Sequence, residues 1–162
     1  MDEKQFAQYI IDPVLKSLAL WSTPARELLL GTALVESQLK YIKQIGCGPA
    51  LGFYQMEPDT HDDIWANYLR YKPALSDKVS AFMLSAGSLS SGYAPEMQGN
   101  LYYATAMARV HYRRVREALP AAGDAAGMAR YWKQYYNTPK GAGTIEKATP
   151  VFHRAINLAR DL

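Results

Sequence analysis

The sequence predicts a mainly helical single domain over residues 1–162, and three observations carry that prediction. A chain of this length buries about 70% of its unfolded surface, enough for a proper core. Proline follows a small polar residue at Asp12-Pro13, Thr23-Pro24 and Thr149-Pro150, which suits a helix cap with proline in the first turn. The stretch from Pro24 to about Gln38 is apolar nearly all round, as expected of a helix in the middle of a domain.

That central helix carries Leu28, Leu29, Leu30, Ala33, Leu34 and Val35. Gly31 weakens it in isolation, so close packing against a neighbour is the expected compensation. Residues 44–58 hold three glycines and two prolines and read as irregular chain or one short hairpin. Helices are expected again near 59–70, 74–86, 97–118, 124–136 and 144–161, with loops at 87–93 and 137–143.

Bulk composition narrows the function classes. Apolar residues are 49% and charged residues 20%, which excludes a disordered or collagen-like chain. Cys47 is the single cysteine, so no intrachain disulfide can form. It lies between two glycines with no local sign of an activating base, and reads as a small apolar residue. The N-terminus is polar and lacks the charged-then-apolar pattern of a secretory signal. No window reaches the ~18 consecutive apolar residues of a membrane span. Synthesis in a cytoplasm without a signal peptide is therefore the expectation. Net charge of +3 favours anionic polymers without choosing among them.

Glu36 is the first residue with chemical promise. It falls in the last turn of the apolar helix, where the helix dipole and apolar neighbours both oppose a carboxylate. Both effects raise its pKa toward the protonated form that a general acid needs near neutral pH. The competing reading is an exposed glutamate on a polar stripe. Ser37 offers a hydroxyl to orient the carboxyl group. Downstream, Gly52-Phe53-Tyr54-Gln55-Met56-Glu57-Pro58 mixes aromatic and amide side chains after a glycine-rich approach, as a sugar groove requires. The alternative is an apolar loop plugging the core.

Glu36-Ser37, followed by Gly52-Phe53-Tyr54-Gln55 and then Pro58-Asp59-Thr60, resembles the signature of lytic transglycosylases, the goose-type lysozyme-like family. Tyr135-Tyr136-Asn137 resembles that family's late Tyr-Asn motif, and the helix start at Asn100-Leu101 falls where a late core helix begins. The likeness spans residues 24–140 and implies a lysozyme-like fold with a small irregular or hairpin loop at the active-site groove. It implies Glu36 as acid and then base, with Ser37, Phe53, Tyr54, Gln55, Tyr136 and Asn137 binding substrate. The implied reaction cuts the β-1,4 bond between N-acetylmuramic acid and N-acetylglucosamine, the muramyl 6-hydroxyl closing on its own anomeric carbon. No metal or other cofactor is called for.

Phe53 and Tyr54 stand where the family carries leucine and methionine, and Thr138-Pro139 replaces a small residue and glycine, so a hydrolytic lysozyme stays open. Hydrolysis would use a second carboxylate, with Glu57 the first candidate and Asp59, Asp62 and Asp63 better explained as acids in a helix's first turns. His61, His111 and His153 match no zinc spacing. The basic stretch Arg109–Arg116 reads as a solvated helix face or an attraction for the anionic wall, with nucleic-acid binding the weaker alternative. The resemblance and the missing signal together imply a bacteriophage product: an endolysin reaching the wall after release, or a virion component. A non-catalytic structural virion protein that keeps the fold is the rival from another class.

Overall fold

The computed structural model describes residues 1–85, 92–138 and 140–162. The described residues are mainly helical: α1 (Glu3–Phe6), α2 (Asp12–Ser17), α3 (Thr23–Ser37), α4 (Pro58–Asn67), α5 (Pro73–Ser80), α6 (Leu101–Arg113), α7 (Ala125–Trp132) and α8 (Ile145–Arg160). Among the described residues, β pairing is confined to isolated bridges joining Leu51 to Lys43 and to Met56. The loop expected at 87–93 lies largely outside the described residues.

Helix α3 organises the rest. Ser22 Oγ accepts from Ala25 N at 3.2 Å and Pro24 sits in the first turn, so the cap falls one residue before the Thr23 expected. Leu28, Leu29, Leu30 and Ala33 are all within 1% of full burial. Gly31 is where α8 comes closest: a methyl built there would overlap the Phe152 ring. The glycine therefore removes a side chain where a phenylalanine must pass.

Two of the expected proline starts lie inside helical chain. Asp12-Pro13 follows a π-helical stretch at Ala7–Ile11 that already continues α1, so Asp12 caps nothing. Its carboxylate instead takes Arg26 Nε at 2.8 Å and Trp21 Nε1 at 2.9 Å. Helix α8 starts earlier than Thr149: Thr144 is the cap, its hydroxyl accepting from Lys147 N, and Pro150 sits exposed within the helix. The helix expected at 97–118 is shorter, because a 3-10 turn at Ala94–Gln98 ends at Gly99 and Asn100 then caps α6 through Tyr103 N. Helix α5 likewise stops at Ser80, short of residue 86.

The buried apolar residues form one contiguous cluster drawing on α1 through α8. Its largest fully buried members are Trp132, Tyr54, Tyr103, Tyr112, Phe6 and Phe152, each large enough to contribute a few kcal/mol by leaving water. The stretch at 109–116 is solvated only in part: Arg113 and Arg116 are exposed, whereas Arg109 and His111 are buried and Arg114 pairs with Asp63. No helix among the described residues is long and apolar enough to cross a membrane.

Candidate active site

The C-terminal end of α3, the turn at 52–55 and the chain after α7 converge on a cavity of about 730 Å³. Each wall has a local cause. Helix α3 stops where Gln38 and Leu39 both take left-handed backbone, at φ 54° and 53°, which turns the chain away just beyond Glu36. The second wall is a tight turn closed by Leu51 N to Met56 O at 2.9 Å and Met56 N to Leu51 O at 3.1 Å. Gly52 makes that turn with φ 72°, and a Cβ there would strike the Met97 carbonyl, so both conformation and space demand glycine. The third wall is the π-helical stretch Lys133–Asn137 continuing α7. Lys133 Nζ pins the chain that follows by donating to Asn137 Oδ1 and to the Gly141 carbonyl.

Glu36 lies partly buried in this cavity and accepts a hydrogen bond at Oε1 from Trp132 Nε1, 2.8 Å away. Burial pushes its carboxyl up to about 7, and the indole bond pulls partly the other way. An indole nitrogen can only donate, so the oxygen it touches must accept, leaving Oε2 to carry an acidic proton. The buried indole thus orients the carboxyl and favours protonation on the oxygen it does not touch.

Tyr136 closes the cavity beside Glu36, its hydroxyl donating to the Tyr54 carbonyl at 2.8 Å. Its ring meets His111 edge-on at 4.8 Å between centroids and lies 5.2 Å from Tyr112. Tyr112 is anchored in turn: the Thr32 hydroxyl donates to Leu28 O, so the tyrosine hydroxyl donates to Thr32 Oγ1 at 2.8 Å. Burial and the adjacent Arg114 pull His111 down to about 4. At neutral pH it is an uncharged ring whose Nδ1 accepts from Arg114 Nη2 at 3.1 Å. Burial raises the Tyr136 phenol well above its ordinary range, and the Glu36 carboxylate adds to that rise.

The residues expected from sequence divide. Glu36, Ser37, Gln55, Glu57, Tyr136 and Asn137 all line the one cavity. Gln55 folds its amide back to donate to Gly52 O at 2.8 Å while keeping a place on the wall. Phe53 and Tyr54 do not present their rings there. They are 7% and 1% exposed and pack on Phe6, with centroids at 5.8 and 6.3 Å. The turn geometry sends these two rings into the core, and the part of Tyr54 nearest the site is its carbonyl. Ser37 is buried as well, and its hydroxyl is held by Phe53 O at 2.7 Å rather than by Glu36. It ties the end of α3 to the turn.

Trp132 was not foreseen. Nothing in the sequence marks a partner 96 residues from Glu36, although a tryptophan three residues before the Tyr135-Tyr136 pair was there to be weighed. Tyr41, Gln44 and Thr60 also join the cavity wall, bringing aromatic, amide and hydroxyl groups.

Comparison of the chain with protein-family models, with curated proteins and with solved structures found no match.

Proposed function

We propose that the chain is a lysozyme-like peptidoglycan-degrading enzyme that cleaves the N-acetylmuramic acid–N-acetylglucosamine β-1,4 bond with Glu36 as its acid and base. The observation that carries this reading is the partly buried Glu36 carboxyl. It stands in an open groove, is pushed up to about 7, and is oriented by one indole donor. A carboxylic acid kept protonated near neutral pH and aimed into a groove of amides, hydroxyls and an aromatic wall is what glycoside cleavage requires.

In the proposed first step Glu36 Oε2 gives its proton to the glycosidic oxygen as the bond from the muramyl anomeric carbon to that oxygen breaks. The resulting carboxylate then takes the proton of the muramyl 6-hydroxyl as its oxygen bonds the anomeric carbon. The products are a free 4-hydroxyl and a 1,6-anhydro sugar, and Glu36 ends protonated as it began. The phage origin proposed with this reading would make the chain an endolysin or a virion-associated lysin.

A hydrolytic outcome has one observation in its favour: Glu57 lines the same cavity and could activate water. Mass spectrometry of fragments released from purified peptidoglycan separates the two. Fragments ending in 1,6-anhydromuramic acid support transglycosylation, and reducing-end muramic acid supports a muramidase. No release by folded protein from several wall types would overturn the enzyme reading in favour of a structural virion role.

A further inference from the structure

The walls of the groove are shared in part with a second space. A second cavity of about 530 Å³ lies against the first, sharing Val35 and Gln38 with it. Its wall also includes Trp132, the residue that holds the Glu36 carboxyl. Glu36 itself lines only the first cavity, and the second begins beyond its neighbours Val35 and Gln38 and its hydrogen-bond partner Trp132. A polymer cut in its interior needs such an arrangement, because chain continues on both sides of the broken bond.

The two halves differ in charge. The first cavity holds Glu36 and Glu57 with one lysine, Lys140. The second is lined by Lys40, Lys147 and Arg154 with Glu3. Glu3 and Arg154 satisfy each other at 2.6 Å. Lys40 and Lys147 have no carboxylate within 4 Å among the described residues, and both ammonium groups sit on exposed side chains. They come from different elements, Lys40 from the chain just beyond α3 and Lys147 from the first turn of α8. Lys147 is out of place for its own helix, since a cation opposes the dipole at an N-terminus.

We propose that this second cavity is a subsite for an acidic part of the substrate strand, a carboxylate-bearing substituent held between Lys40 and Lys147. This rests on the glycan-cleaving reading above. Exposed ammonium groups attract through water and ions, so the contribution is modest, severalfold in affinity for the pair, and salt-sensitive.

The test uses the full chain carrying Glu36→Gln, which holds strands without cutting them, with and without Lys40→Gln and Lys147→Gln together. The probes are peptidoglycan strand fragments with free stem-peptide carboxylates and the same fragments amidated, titrated calorimetrically at low and high salt. The lysine changes should weaken binding of the free-carboxylate fragments about three- to twentyfold at low salt and leave the amidated ones unchanged. Equal losses on both probes, or none on either, would overturn the subsite. Failure of both probes to bind the protein with intact lysines would overturn the glycan reading along with it.

Discussion

Glu36 is held in the fold at a cost that grows with pH. Its ordinary value is 4.5 and burial takes it to about 7, so the folded state holds a proton that the unfolded state has already released. The cost is absent below the ordinary value, builds between the two, and is complete above 7. Glu36→Gln is expected to raise stability by on the order of 2 kcal/mol at pH 8 and by nothing at pH 4, measured by urea unfolding at both. Equal effects at the two pH values would mean the carboxyl is not buried as described. Trp132→Phe keeps an aromatic ring but removes the donor to Oε1. Activity should fall about ten- to a hundredfold, and the high-pH limb of the rate profile should move upward, because the lost bond favoured the carboxylate. At this scale the sequence was readable where one helix sufficed. The end of an apolar helix is a poor place for a carboxylate, and Glu36 is there. It was unreadable for Phe53 and Tyr54, since aromatic residues beside a glycine serve a groove or a core equally, and only the closed turn against Phe6 decides.

Among the elements, the crossing of α3 and α8 depends on one missing side chain. Gly31→Ala must push the Phe152 ring, for a loss of about 1–3 kcal/mol although alanine is the better helix former. Gly31→Ala combined with Phe152→Leu should recover part of that loss, and thermal unfolding of the two variants measures it. A loss from Gly31→Ala that Phe152→Leu does not relieve would place the strain elsewhere. Helix existence was legible from apolar runs and capping residues, while several boundaries were not. Proline after a small polar residue marks a first turn at Pro24, yet the same pair at Asp12-Pro13 follows a π stretch and at Thr149-Pro150 lies on an exposed helix face. Proline costs a helix little where the hydrogen bond it removes has been displaced by a wider turn or its carbonyl partner is left to water. Those circumstances belong to the packed structure and leave no mark on the dipeptide.

For the whole molecule, one apolar cluster links the first helix to the last, so folding should be all-or-none. Trp21, Trp65 and Trp132 lie in different parts of the chain, and their fluorescence should lose its native signal over the same denaturant range as helical circular dichroism. Two separated transitions would contradict a single core. Removing residues 145–162 would strip Phe152, Ala155 and Ile156 from the faces of α3 and α7, and no cooperative transition should remain. The same architecture brings residues from three distant stretches to Glu36, and that convergence is the basis of the proposed activity. The most direct test of it is the release of soluble fragments from purified peptidoglycan by wild-type protein and by folded Glu36→Gln, followed from pH 4 to pH 9. The wild type should act, with a rate that declines as pH rises through about 7, and the variant should be inactive throughout. Equal release by both proteins would contradict the role assigned to Glu36.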